Sequence, residues 1–152
     1  KHIGAAAAGI MADARILVKN GRDHSQQHML TYGERIDLRS LVVHIADVMQ
    51  AYTQYGGIRP FGISLLFGGV DKKGPQLHVV DPTGTYFQYK ARAVGSGSAA
   101  ANTLLAAKYK DGMSAEQGVK LAKDILKKVL KREYAPERIE CVVVKPSGIK
   151  KA

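Results

Sequence analysis

His24 and His28 stand one helical turn apart, with Asp23 beside the first. On one helix face that spacing offers two imidazoles and a carboxylate to a metal ion. The neighbouring residues are polar and no matching ligand cluster occurs elsewhere, so exposed, unliganded histidines are the plainer expectation. A second candidate is Gly95-Ser-Gly-Ser-Ala-Ala100, which follows an apolar segment and opens an alanine-rich one. Such glycines let helix N-terminal amides approach a phosphate. A dinucleotide fold would next need a parallel strand carrying a ribose-binding acid, whereas a further helical pattern follows here. A close turn into a helix suffices, and no cofactor is expected. Serine, histidine and aspartate all occur, but no Gly-x-Ser-x-Gly elbow marks a nucleophile. The single cysteine, Cys141, lies in the apolar run Ile139-Glu-Cys-Val-Val-Val144 and has no partner for an internal disulfide. It reads as a small buried hydrophobe in a protein of a reducing, cytoplasmic compartment.

The elements that must position these residues come from ordinary globular material. The 152 residues are 45% hydrophobic and 24% charged, enough for one domain with its own core. The formal charge of +10 raises the question of a polyanion partner. Its densest group is Lys120, Lys123, Lys127, Lys128, Lys131 and Arg132, which falls on one side of an amphipathic helix and is not interleaved with aromatics. A solvated helix face is expected, and nucleic-acid binding is the weaker alternative. No apolar run approaches the length of a membrane span.

Ile3 to Ala8 reads as a buried strand of small residues, broken by Gly9. Ile10, Ala14, Leu17 and Val18 then follow at helical spacing, and the helix runs through polar residues to Tyr32-Gly33. Asp37 caps a second helix whose apolar stripe is Leu38, Leu41, Val42, Ile45, Met49 and Tyr52, ending at Gly56-Gly57. Pro60 bars its continuation. Phe61 to Phe67 is a strand leading to Gly68-Gly69, and Gln76–Val80 and Thr85–Tyr89 form a hairpin about Asp81-Pro-Thr-Gly84. Ala91 to Val94 is a further strand candidate before a helix ending near Lys108. Ser114 caps a last helix with Gly118, Ala122, Ile125, Leu126 and Val129 expected on its buried face, and Ile139 to Val144 closes the chain as a strand. Paired helices alternating with hairpin strands indicate an α+β fold layered α/β/β/α.

Several stretches, in order, resemble a proteasome α-type subunit, most closely the archaeal type. They are Ala8-Gly-Ile-Met-Ala-Asp-Ala-Arg15, Tyr32-Gly33, the run Tyr52-Thr-Gln-Tyr-Gly-Gly-Ile-Arg-Pro-Phe-Gly62, Asp81-Pro-Thr-Gly84 with Tyr89-Lys-Ala91, and Val94-Gly-Ser-Gly97. The Tyr52–Gly62 run is the specific one; its Tyr52, Gln54, Gly57, Arg59, Pro60 and Gly62 form a structural signature. The resemblance implies an Ntn-hydrolase-like four-layer sandwich, incomplete at its N-terminus because the family's first helix and hairpin would precede Lys1. It implies a non-catalytic ring subunit of the 20S core particle, with other α subunits, β subunits and an activating ATPase ring as partners.

Proteolysis in that fold uses a first-residue threonine whose own amine is the base. Lys1 stands first here, and release of Thr85 by cutting after Gly84 would split a hairpin, so the nucleophile is expected in β subunits. A catalytic Ntn hydrolase of β type is the alternative. The resemblance also marks Gly9 and Ile10, at a junction bordering the pocket that receives the C-terminal tails of activating ATPases. A glycine there lets a peptide backbone come close, and it equally serves the strand-to-helix turn. The lysine completing that pocket would lie ahead of Lys1. Arg59 is expected to pair with a carboxylate or with carbonyls at the end of the helix near Tyr55.

Overall fold

Asp37 accepts a hydrogen bond from the Ser40 amide at 3.0 Å and so starts a helix where the sequence places it. In the computed structural model, which describes residues 2–152, this helix is α2 (Leu38–Tyr52). It buries Leu38, Leu41, Val42, Ile45, Ala46 and Met49. Its neighbour α1 (Met11–Tyr32) ends at Gly33, whose left-handed φ of 69° lets its amide bond to the Met29 carbonyl.

The two helices cover one face of a sheet made from β1 (Ile3–Gly9), β2 (Ile63–Asp71), β3 (Gly74–Val80) and β4 (Tyr86–Tyr89), all antiparallel and in that order. Along β2 the alternation is strict: Ile63, Leu65, Phe67 and Gly69 are buried, while Ser64, Leu66, Gly68 and Val70 are half-buried on the opposite face. The buried set meets the α2 stripe and forms the core. The turn Asp81–Gly84 forms as expected, with the Gly84 amide donating to the Asp81 carbonyl at 2.9 Å.

A second pair of helices, α3 (Ser98–Lys108) and α4 (Ala115–Leu130), follows β4. Ser114 and Gln117 cap α4 reciprocally. The chain then makes a small hairpin from β5 (Val142–Lys145) and β6 (Gly148–Lys151). This hairpin lies beyond the outer face of β1, where a Cβ on Gly4 would stand 3.4 Å from Val144 and 3.9 Å from Ile149. The fold is α+β.

Several expectations need correction. β2 runs through Gly68-Gly69 to Asp71, because a bare Gly69 lets Ile3 and Leu38 pack within 3.3 Å of its Cβ position. β1 is less buried than its composition suggests; it is an edge strand among the described residues, and Ala5 and Ala6 are exposed. β5 begins at Val142, later than expected, and its partner β6 was not foreseen. Of the face expected to be buried on α4, Ile125 is buried and Val129 half-buried, while Gly118, Ala122 and Leu126 are exposed.

No strand forms at Ala91–Val94. The side chain of Asn102 takes the place of a neighbouring strand there: its Oδ1 accepts from the Ala93 amide at 2.8 Å and its Nδ2 donates to the Ala93 carbonyl at 3.1 Å. Asn102→Ala removes both bonds from a half-buried segment and is expected to destabilise the domain by about 1–3 kcal/mol, read as a lower urea midpoint at unchanged slope.

Candidate functional site

Asp13 lies on α1 three residues after Ile10 and four before Leu17, so it shares the stripe that α1 turns inward. It is 4% exposed, and a carboxylate in that position needs compensation. Arg59 supplies it from 46 residues away, donating from Nη1 to Oδ2 at 2.8 Å and from Nη2 to Oδ1 at 2.7 Å. This is the bidentate fork for which arginine is suited. The Gly62 amide donates to the same Oδ2 at 2.8 Å, and Arg59 Nη1 also donates to the Pro60 carbonyl at 2.9 Å.

Gly62 carries the connection onward. Its carbonyl accepts from the Ile10 amide at 2.9 Å, and its missing side chain leaves room for Ile10, whose Cδ1 would stand 2.6 Å from a Cβ there. Gly9 has φ 132°, and a Cβ on it would fall 2.9 Å from the Ile63 Cα and closer still to the Gly62 carbonyl oxygen. The Gly9-Ile10 junction and the Arg59–Gly62 loop, which stand apart in the sequence, therefore form one corner around Asp13. Ile10 and Met11 remain 46% and 62% exposed at its surface.

The partner of Arg59 is a carboxylate, as expected, but it comes from the start of α1 and not from the end of α2. The signal for it was Asp13 itself, an acid on an apolar helical stripe, which calls for a cation from elsewhere in the fold. Tyr52 packs on Phe61 with ring centroids 4.5 Å apart, Gln54 is exposed, and Gly57 makes its turn at φ 79° with open space around it.

Hydrogen bonding from Arg59, then from the Gly62 amide, holds the Asp13 carboxyl down at about 2, against the upward push of burial. A depressed carboxyl stabilises the fold above the ordinary carboxylate range, and that contribution is lost as pH falls through the folded value. The difference in melting temperature between the native chain and Asp13→Asn should stay constant above about pH 5 and shrink steadily from about pH 4 towards pH 2.

The other candidates are placed differently. His24 and His28 are half-buried, not exposed, because each packs on a ring. His24 stacks on His44 at 3.6 Å between centroids, and His28 lies against Tyr32. Burial and the adjacent His24 push the His44 imidazole down, and its Nε2 meets Asn20 Oδ1 at 2.7 Å. Among the described residues no group of three His, Cys, Asp or Glu side chains gathers for a metal. Gly95 and Gly97 serve close packing: a Cβ would stand 3.0 Å from Ala8 at Gly95 and 2.7 Å from Val129 at Gly97. Cys141 is half-buried. Among the described residues no helix is long and apolar enough to cross a membrane.

A family model described as "Proteasome subunit" matches residues 1–144. The chain is 48% identical over 143 residues to the "Proteasome subunit alpha" of Thermococcus sibiricus, covering 94% of this chain and 54% of that protein. The protein of the same name from Pyrococcus horikoshii gives the same identity and coverage. That of Methanocaldococcus jannaschii is 42% identical over 152 residues, or 99% of this chain and 58% of the relative. The chain thus spans a little over half the length of the relatives it matches.

Proposed function

The chain belongs to the proteasome subunit family, and from that membership we propose that it is a non-catalytic α-ring subunit of the 20S core particle. Its role is to support regulated protein degradation in the cytoplasm. Its partners are other α subunits, the β subunits that carry the threonine nucleophile, and an activating ATPase ring that docks through C-terminal tails. The observation that carries this reading is the similarity, over nearly the whole chain, to relatives named as α subunits.

The finer fold proposed is the four-layer α/β/β/α sandwich of Ntn hydrolases. Support comes from α1 and α2 on one face of the four-stranded sheet and from the approach of Val144 and Ile149 to Gly4 on the other. Docking is assigned to Gly9 and Ile10. Exposed Ile10 offers an incoming peptide apolar surface, and Gly9, whose missing side chain lets β1 close onto the Gly62–Ile63 backbone, sets the place of Ile10.

Native mass of the chain mixed with β subunits of the family tests the assignment to a ring. A particle containing both kinds of chain is expected. A chain that stays monomeric beside assembled β subunits would count against it.

A further inference from the structure

Hydrogen bonds run in an unbroken series from Arg59 to Asp13, from the Gly62 amide to Asp13, and from the Ile10 amide to Gly62. The middle of that series is buried, with Asp13 4% exposed, while both ends reach the surface. The Arg59 side chain is 60% exposed and Ile10 46% exposed. Both side-chain oxygens of Asp13 are engaged, and Oδ2 accepts from two donors at once. The loop and the helix start are thereby held at one separation, and Gly62 leaves no free space over Ile10.

From this we infer that Asp13 and Arg59 are positioning residues for the docking corner: the ion pair fixes Gly62, and Gly62 sets the place of Gly9 and Ile10. The inference rests on the docking role assigned to those two residues. It adds that Arg59, which need not touch the tail, governs how well the tail is received. A side-chain-free Gly9 lets β1 close onto the Gly62–Ile63 backbone, and the clamp holds that contact. A fork is required because one carboxylate must hold a guanidinium and a backbone amide together. A lysine at position 59 would keep the charge but could not span both oxygens.

Two readouts on the full chain in its assembled particle separate this inference from the reading beneath it. The first is amide hydrogen exchange at Ile10 and Gly62, compared with Phe67 and Val79 in the same sheet, for the native chain, Arg59→Ala, Arg59→Lys and Asp13→Asn. Exchange at Ile10 and Gly62 is expected to rise in all three variants while the sheet stays protected; unchanged exchange at both amides would overturn the inference. The second is binding of a synthetic peptide carrying the C-terminal residues of an activating ATPase. Affinity is expected to fall roughly tenfold or more in Arg59→Ala, the scale on which residues that orient a contacting group act.

Ile45→Val, a core change that lowers the melting temperature by itself, serves as the control for a merely structural effect. It should leave peptide affinity within about twofold. Equal loss of affinity in Ile45→Val and Arg59→Ala at matched melting temperature would overturn the positioning role. Raised exchange in the variants together with no peptide binding to the native chain would sink the docking reading and leave the clamp standing.

Discussion

Gly9→Val is expected to abolish tail docking and to destabilise the domain by roughly 2–6 kcal/mol, the larger of the two effects that single glycines should show. The backbone at Gly9 has φ 132°, a region where a residue with a side chain is strained by about 1–3 kcal/mol. A Cβ would also press on the Gly62 carbonyl and the Ile63 Cα, both backbone atoms that no rotamer change can move. Relief requires β1 to separate from β2 at their Gly9–Ile63 pairing, and the Ile10–Gly62 hydrogen bond lies in the next step of the chain. The same displacement moves Ile10, whose exposed side chain is the apolar surface proposed to receive the tail. Urea unfolding and binding of the tail peptide, each run on the purified variant, measure the two consequences. An affinity unchanged in a folded Gly9→Val variant would remove Gly9 from the docking site.

Gly84→Ala is expected to cost roughly 2–5 kcal/mol without touching the proposed docking corner. Gly84 sits in the β3–β4 turn with φ 82°, and an added Cβ would fall 2.5 Å from the Ala46 carbonyl oxygen and 2.7 Å from the Gln50 amide. Those atoms belong to α2, whose buried stripe anchors the sheet, so the turn must lift away. Lifting it pulls at Val80 and Tyr86, the last pair of the β3–β4 ladder, and both belong to or pack on the core. A drop in melting temperature with tail binding retained is the expected outcome. Retained stability would mean that the turn does not rest on α2.

The helices α1 and α2 were legible in the sequence because each signals its limits locally: Asp37 caps, Gly33 stops, and a stripe from Leu38 to Met49 repeats at helical spacing. The asparagine that stands in for a strand at Ala93 was not, since it lies nine residues from the backbone it satisfies. Nor was β6, whose Gly148-Ile-Lys-Lys151 is too short and too charged to read as a strand without its partner. α4 misled for a different reason. Its Leu126 and Ala122 have the spacing of a buried face, but the face that meets α3 and the rest of the chain is narrower than that pattern.

At the corner, both halves were singled out separately, Gly9-Ile10 for docking and Arg59–Gly62 as signature. What joins them is a contact across 46 residues, and spacing along the chain carries no record of it. The acid on the apolar stripe of α1 was the one residue that could have predicted the junction. Its pairing changes the meaning of the signature: Arg59 and Gly62 shape the start of α1 as much as the entry to β2.

Covalent labelling of the assembled particle with a threonine-directed peptide probe, followed by the mass of each separated subunit, tests the proposed non-catalytic role most directly. The whole increase in mass is expected on the β subunits, with this chain keeping its native mass. A stoichiometric adduct on this chain, formed with loss of peptidase activity, would contradict that role.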